Sequence, residues 1–323
     1  MSDIDEAHKA FSEMVGRANA DFCLKEFEKK LGQKSNKAIQ DANFYKIFKK
    51  VFLEDAKKNF AYTIKKGSFL FRARVLDSSA MQMCEETSEH YSNGVRVDLS
   101  GVLYGYDAPN SREPLLGTAS PGRGNYAGAS YMYAARDEIT ACCEIKPIPS
   151  QLLSLAKFRV KKNLLVFNTQ KAIGNKKNKR YKKIIAETVG DKPFDLAAFF
   201  ESVSHLFTDP VENDDEYYVP QVLSDEIRKT GIDGIVYKSF YTGGSNVLLF
   251  NCSEKNIEFL DSRIVEFAIP DYTVLDFNEG KLLQNFQAHE GLLESHGRGL
   301  RRYLQWQGRA YDDDFDGTAR PNF

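Results

Sequence analysis

The segments Phe71-Arg72-Ala73-Arg74, Gly122-Arg123-Gly124-Asn125-Tyr126-Ala127-Gly128, Tyr131-Met132-Tyr133-Ala134-Ala135 and Glu144-Ile145-Lys146-Pro147 place arginines, an aromatic ring and one carboxylate on successive short elements. About a hundred residues later come Gly231-Ile232-Asp233-Gly234-Ile235-Val236-Tyr237-Lys238-Ser239 and Gly243-Gly244-Ser245-Asn246-Val247-Leu248-Leu249-Phe250. Ser68 to Val75, Ala129 to Ala135, Gly234 to Tyr237 and Asn246 to Phe250 have the β-branched and aromatic texture of strands. Asp137 is placed to cap a short helix carrying Ile139, Ala141, Cys142 and Glu144, which Pro147 ends. Short strands and helices without strict β-α alternation predict an α+β fold, not a doubly wound sheet.

Outward from this core the texture changes. Residues 1–66 read as helical: Phe11, Met14, Val15, Leu24, Phe27 and Leu31 recur at helical spacing, with Gly32 as a stop. A second run puts Phe44, Ile47, Phe48, Val51, Phe52, Ala56 and Phe60 on one face. Between Lys25 and Lys66 there are 12 Lys against 5 acidic residues, which reads either as a solvated helix face or as a polyanion contact. The run from Lys176 to Lys183 carries the same two readings. Leu155 to Val160, Leu164 to Asn168, Ile257 to Phe259 and Ile264 to Phe267 look like strands. Pro193 to Phe207 and Val219 to Lys229 look like helices, the latter stopped by Gly231. This divides the chain into a helical domain over 1–66, a catalytic domain over 67–290 and a flexible tail over 291–323.

Bulk properties exclude several classes. The 323 residues are 42% hydrophobic and 28% charged, with a net charge of −1, so overall charge draws no polyanion. No apolar run reaches the roughly 20 residues of a membrane span, and MSDIDEAHKAF has no basic start or apolar core of a secretory signal. Five Cys without a Cys-x-x-Cys pair argue against a disulfide framework and a zinc site, and point to a reducing cytoplasm.

The chemistry narrows by elimination. Gly122-x-Gly124-x-x-x-Gly128 lacks the spacing and the strand-then-helix setting of a dinucleotide fingerprint. There is no P-loop and no nucleophile elbow. His90 and His205 have no partner at metal-ligand spacing. What remains is Arg72, Arg123, Tyr133, Glu144 and Ser239. One carboxylate without an acid partner suits cleavage of a glycosidic bond whose leaving group is already cationic, as the nicotinamide of NAD is. Each residue also has a purely structural reading: a salt-bridged strand arginine, a core tyrosine, a solvent-facing glutamate, a turn serine.

Taken in order, these segments resemble the RES-domain family, named for an Arg, a Glu and a Ser. The resemblance spans roughly residues 69–250. It rests on Phe71-Arg72-Ala73, the Gly122-Arg123-x-Asn125 turn, Tyr133 with Glu144 eleven positions later, Gln221-Val222-Leu223, Gly231 through Ser239, and Gly243-Gly244 with Asn246 and Phe250. It implies an ADP-ribosyltransferase-like split mixed sheet with flanking helices, and an N-terminal helical region as in long RES proteins. It implies that NAD is the substrate, with no metal, and that the family's Arg, Glu and Ser fall on Arg72, Glu144 and Ser239. Arg72, Arg123, Tyr133, Ser239 and Asn246 would bind the dinucleotide. It further implies NAD degradation by water or phosphate in a bacterial toxin or defence setting, with an antitoxin or immunity protein as partner. A homo-oligomer is compatible with this. Two other readings stay open: ADP-ribosylation of a macromolecule through the same site, and nucleic-acid binding through the Lys-rich segments. No R-x4-6-H ribonuclease motif precedes residue 67.

Overall fold

The structure, a computed structural model, describes residues 3–32, 36–76, 95–97, 103–148, 151–171, 179–211 and 217–266. The expected tail over 291–323 lies outside them, as do His90 and most of the segment from 77 to 102. Three helices open the chain: α1 (Asp3–Gly32), α2 (Asn36–Asp41) and α3 (Asn43–Phe48), the last continuing into wider π-helical turns over Lys49–Leu53 and Ala56–Phe60. Strands β1 (Ala61–Ile64), β2 (Phe69–Val75), β3 (Val95–Val97) and β4 (Leu103–Tyr106) follow, then the short helix α4 (Ala108–Ser111). Next come β5 (Met132–Ala135), α5 (Glu138–Glu144), β6 (Leu152–Val160), β7 (Leu164–Asn168) and three helices: α6 (Lys179–Val189), α7 (Leu196–Thr208) and α8 (Tyr218–Lys229). Strands β8 (Gly234–Lys238), β9 (Ser245–Leu249) and β10 (Ile257–Glu266) complete the sheet.

Among the described residues ten strands run in the order β1-β7-β8-β9-β5-β2-β6-β10-β4-β3. Among the described residues only β7 and β8 pair in parallel; the other pairs are antiparallel. The sheet is pinched in the middle: β2 pairs with β6 from Phe69 to Val75, but meets β5 at the single register pair Phe71–Ala135. This is the split mixed sheet of an α+β, ADP-ribosyltransferase-like fold, with helices at its flanks and at its N-terminal end.

Successive residues of a strand face opposite ways, and the central strands bury both faces. Phe167, Ile235, Tyr237 and Leu248 join one core, while Leu164, Val166, Val236, Val247 and Leu249 join another. The first core is aromatic. Phe27, Phe44, Phe48, Phe52 and Phe60 from the N-terminal segment pack with Tyr181, Phe199 and Phe200 of α6 and α7. Phe52 lies within 4.8 Å of Phe60 and 5.3 Å of Phe200, centroid to centroid, inside the range of favourable ring pairs. A third, smaller cluster of Ala73, Ala135, Ala141 and Leu155 seats α5 on the sheet. Small side chains let this helix approach closely, which sets the depth of Glu144.

Two elements differ from the sequence reading. Residues 61–64, read as part of the helical start, form β1 and pair with β7. The two short strands expected at 257–259 and 264–267 are one strand, β10, with a bulge between Phe259 and Asp261. The polar Asp261-Ser262-Arg263 imitates a turn, yet Ser262 is buried and its hydroxyl donates to the Tyr106 carbonyl at 2.6 Å.

Candidate active site

Glu144 ends α5. Asp137 starts that helix, its carboxylate accepting from the Thr140 amide at 2.7 Å and from the Thr140 hydroxyl at 2.8 Å. At the other end, Glu144 Oε1 accepts two hydrogen bonds: from Ser239 Oγ at 2.6 Å and from Asn246 Nδ2 at 2.7 Å. Oε2 has no partner among the described residues and remains open to a cleft of about 230 Å³. Phe71, Arg72, Tyr133, Tyr237 and Asn246 line this cleft with Glu144. One oxygen is therefore held and the other presented.

Ser239 and Asn246 are both almost fully buried. The sequence reading has Ser239 facing a ligand and donating to a ribose or phosphate oxygen; its hydrogen goes to Glu144 instead. Its Oγ also accepts from the amides of Tyr241 and Thr242 at 3.2 and 3.3 Å, closing the loop between β8 and β9. The loop's far end is fixed by Thr242 Oγ1 against Thr140 Oγ1 at 2.7 Å. Gly244 sits so close that an added Cβ would lie 2.1 Å from that Thr140 oxygen. Ser239 and Asn246 thus both hold the Glu144 carboxylate through their side chains. Ser239→Ala removes one of the two donors and should cost about tenfold in catalytic efficiency, the scale of one hydrogen bond to a charged group. Steady-state kinetics read it, and loss of measurable turnover would mean a larger role than positioning.

The Gly122–Asn125 turn closes on itself through paired backbone bonds at 3.0 and 3.3 Å. Three side chains lock it. Tyr133 OH accepts from the Gly124 amide at 2.8 Å and donates to Asn125 Oδ1 at 2.7 Å. Gln221 Nε2 donates to the carbonyls of Gly122 and Asn125, both at 2.9 Å. Burial raises the Tyr133 phenol well above its ordinary pKa, so it stays protonated and able to donate. Tyr133→Phe keeps the ring that borders the cleft but leaves two buried groups unpaired. We expect a stability loss of about 1–3 kcal/mol, read as a lower urea midpoint at unchanged slope; an unchanged midpoint would show the turn holding without the hydroxyl.

Arg123 is read from the sequence as a dinucleotide-binding residue. Its guanidinium donates to the carbonyls of Leu206, at 3.2 Å, and Asp209, at the C-terminal end of α7. There a cation meets carbonyls at the helix end and the negative end of the helix dipole. It lines neither this cleft nor the neighbouring one.

Arg72 and Tyr133 border both clefts. The second, of about 520 Å³, is also lined by Arg74, Arg112 and Glu113. Arg72 Nη1 donates to the Ser111 carbonyl at 3.0 Å, and Arg74 donates to that of Asn110. Burial, reinforced by neighbouring Arg74, pushes the Arg72 guanidinium down to about 10, while Glu113 acts the other way. It remains charged at neutral pH. Glu113 Oε2 is buried without a hydrogen-bond partner, 3.6 Å from Arg112 Nε. Three guanidiniums against one carboxylate give this cleft a surplus of positive charge. Arg74, Arg112, Glu113 and Tyr237 were not singled out from sequence. The alternation of Arg72 and Arg74 along β2 was the available signal for one of them; Arg112 and Glu113 carried none.

Among the described residues no group of three or more His, Cys, Asp or Glu is placed to hold a metal ion, and no helix is long and apolar enough to cross a membrane.

The split mixed sheet with its flanking helices is an ADP-ribosyltransferase-like fold. The family model of the RES domain matches residues 104–268, just over half of the chain, and the chain belongs to that family. Phe71-Arg72-Ala73 precedes the matched span. A solved structure, the M. tuberculosis MbcT-MbcA toxin-antitoxin complex, is similar at 12% identity and a TM-score of 0.32, covering 70% of this chain and 92% of that one. No curated protein matches.

Proposed function

We propose that this protein degrades NAD by cleaving the bond between nicotinamide and ribose. The observation that carries the reading is the state of Glu144: Oε1 fixed by Ser239 and Asn246, Oε2 open to a cleft that shares Arg72 and Tyr133 with an arginine-lined neighbour. As the C–N bond breaks, its electron pair leaves with nicotinamide, which becomes neutral and needs no proton. Positive charge develops on the ribose, and a fixed carboxylate stabilises charge that exists only there. Arg72 acts as the planar grip on the diphosphate. Tyr133 and Phe71 give the cleft its aromatic wall. Water or inorganic phosphate then captures the oxocarbenium-like carbon.

In this reading residues 67–290 are the catalytic part, and the helices before them support it. The setting is that of a bacterial toxin or defence effector restrained by an antitoxin. Transfer of ADP-ribose to a macromolecule uses the same groups and differs in the acceptor. The test is free nicotinamide after incubation of the protein with NAD, with Glu138→Gln as control. Glu138 starts α5 and pairs with Arg263 at 2.6 Å, away from the Glu144 oxygens, so its variant should release nicotinamide at near the wild-type rate. Failure of the wild-type protein to release nicotinamide, together with salt-sensitive RNA or DNA binding, would favour the nucleic-acid reading instead.

A further inference from the structure

The Glu144 cleft is crossed by a single row of side chains. Phe71 of β2 is in register with Ala135 of β5, Ala135 with Asn246 of β9, and Asn246 with Tyr237 of β8. Residues directly opposite one another share a face of the sheet, and these four all line the cleft. Three strand spacings separate the ends of the row, about 14 Å. Arg72, next to Phe71, stands at one end and Tyr237 at the other. Glu144 is tied to the row at Asn246. Most polar groups along it are used within the protein. Asn246 Nδ2 donates to Glu144, the Tyr133 hydroxyl serves the Gly122–Asn125 turn, and Arg72 Nη1 holds the Ser111 carbonyl. The Tyr237 hydroxyl has no hydrogen-bond partner among the described residues. Tyr237 is 7% exposed, and its ring packs 6.3 Å from that of Phe207, centroid to centroid. Burial, reinforced by the nearby Glu144 carboxylate, holds the phenol above its ordinary pKa, so it keeps its proton.

We propose that the Tyr237 hydroxyl donates a hydrogen bond to the carboxamide oxygen of nicotinamide, making Tyr237 the residue that reads the leaving group. This rests on the reading of the cleft as the site of NAD cleavage. The order of the row sets the order of the substrate: diphosphate at the Arg72 end, the reacting ribose carbon at Glu144, and nicotinamide beyond it, toward β8. The acceptor follows from the chemistry of the two groups that face the ligand. Ribose offers hydroxyl donors, which the open Glu144 Oε2 accepts. The carboxamide carbonyl can only accept, and needs a donor. A polar group fixed in a largely apolar wall orients a flat ring that packing alone would leave free to turn. The carboxamide is remote from the bond that breaks, so the contact is made by the bound substrate and by the released nicotinamide alike.

Nicotinamide and ADP-ribose, titrated separately into the full chain and followed by ligand-observed NMR, test this. Tyr237→Phe should weaken nicotinamide binding about threefold to tenfold, the scale of one neutral hydrogen bond, and leave ADP-ribose binding unchanged. It should keep the wild-type melting point, because no bond within the protein is lost. With NAD as substrate the variant should raise KM more than it lowers kcat. Nicotinamide bound as tightly as by the wild-type chain, ADP-ribose weakened as much as nicotinamide or in its place, or no nicotinamide binding by the wild-type chain would each overturn the assignment. A wild-type chain that releases nicotinamide from NAD while Tyr237→Phe binds nicotinamide normally overturns this assignment alone. One that binds nicotinamide through Tyr237 but cleaves no NAD contradicts the proposed function alone.

Discussion

Glu144→Gln is expected to lower nicotinamide release from NAD by about a hundredfold to a thousandfold, the scale of removing one preorganised electrostatic group. The substitution is unusually clean here. Ser239 and Asn246 both donate to Oε1, and the glutamine carbonyl oxygen can accept both bonds. Shape, loop closure and the seat of α5 are kept, and the negative charge facing the cleft is lost. The effect should therefore fall on kcat, with the dissociation constant for NAD changing little. Equal losses in binding and turnover would place Glu144 on the ground-state substrate, as a holder of ribose hydroxyls, rather than on the charge that develops during cleavage.

Arg72→Ala should weaken NAD binding by about tenfold to a hundredfold, in line with charged hydrogen bonds worth about 1.5–3 kcal/mol. Arg72→Lys should recover only part of it. The wild-type guanidinium holds the Ser111 carbonyl with one nitrogen while bordering both clefts. An ammonium is a single point charge and cannot serve a backbone carbonyl and a planar diphosphate grip together. Arg74 and Arg112 stay in place in either variant, so the cleft keeps positive charge, and a full recovery by lysine would mean that charge alone is what Arg72 provides. Isothermal titration with NAD on the Glu144→Gln background separates binding from turnover.

Local signals carried much of this architecture. Asp137 announces the start of α5 and Pro147 its end, so Glu144 could be placed at the tip of a short helix from sequence. The Phe71-Arg72-Ala73 strand and the glycine-flanked β8 and β9 were equally plain. What was hidden is long-range. Ser239 lies 95 residues from Glu144 and Asn246 102; nothing local says that a serine and an asparagine at strand ends will spend their donors on a carboxylate. Arg123 shows the same difficulty in reverse. In a glycine turn it looks like an anion grip, but its acceptors are carbonyls at the end of α7, 83 and 86 residues away. β1 was lost to the helical reading because four residues are too few to show alternation, and its pairing with β7 is decided by the sheet.

The most direct test of the central claim is identification of the products from NAD labelled in its adenylate half, with and without inorganic phosphate. Cleavage by water or phosphate at the nicotinamide–ribose bond predicts free nicotinamide together with labelled ADP-ribose, or with its phosphate when phosphate is the acceptor, and about a hundredfold to a thousandfold less of either from Glu144→Gln. NAD that survives intact, or label recovered on protein in place of a small molecule, would contradict it.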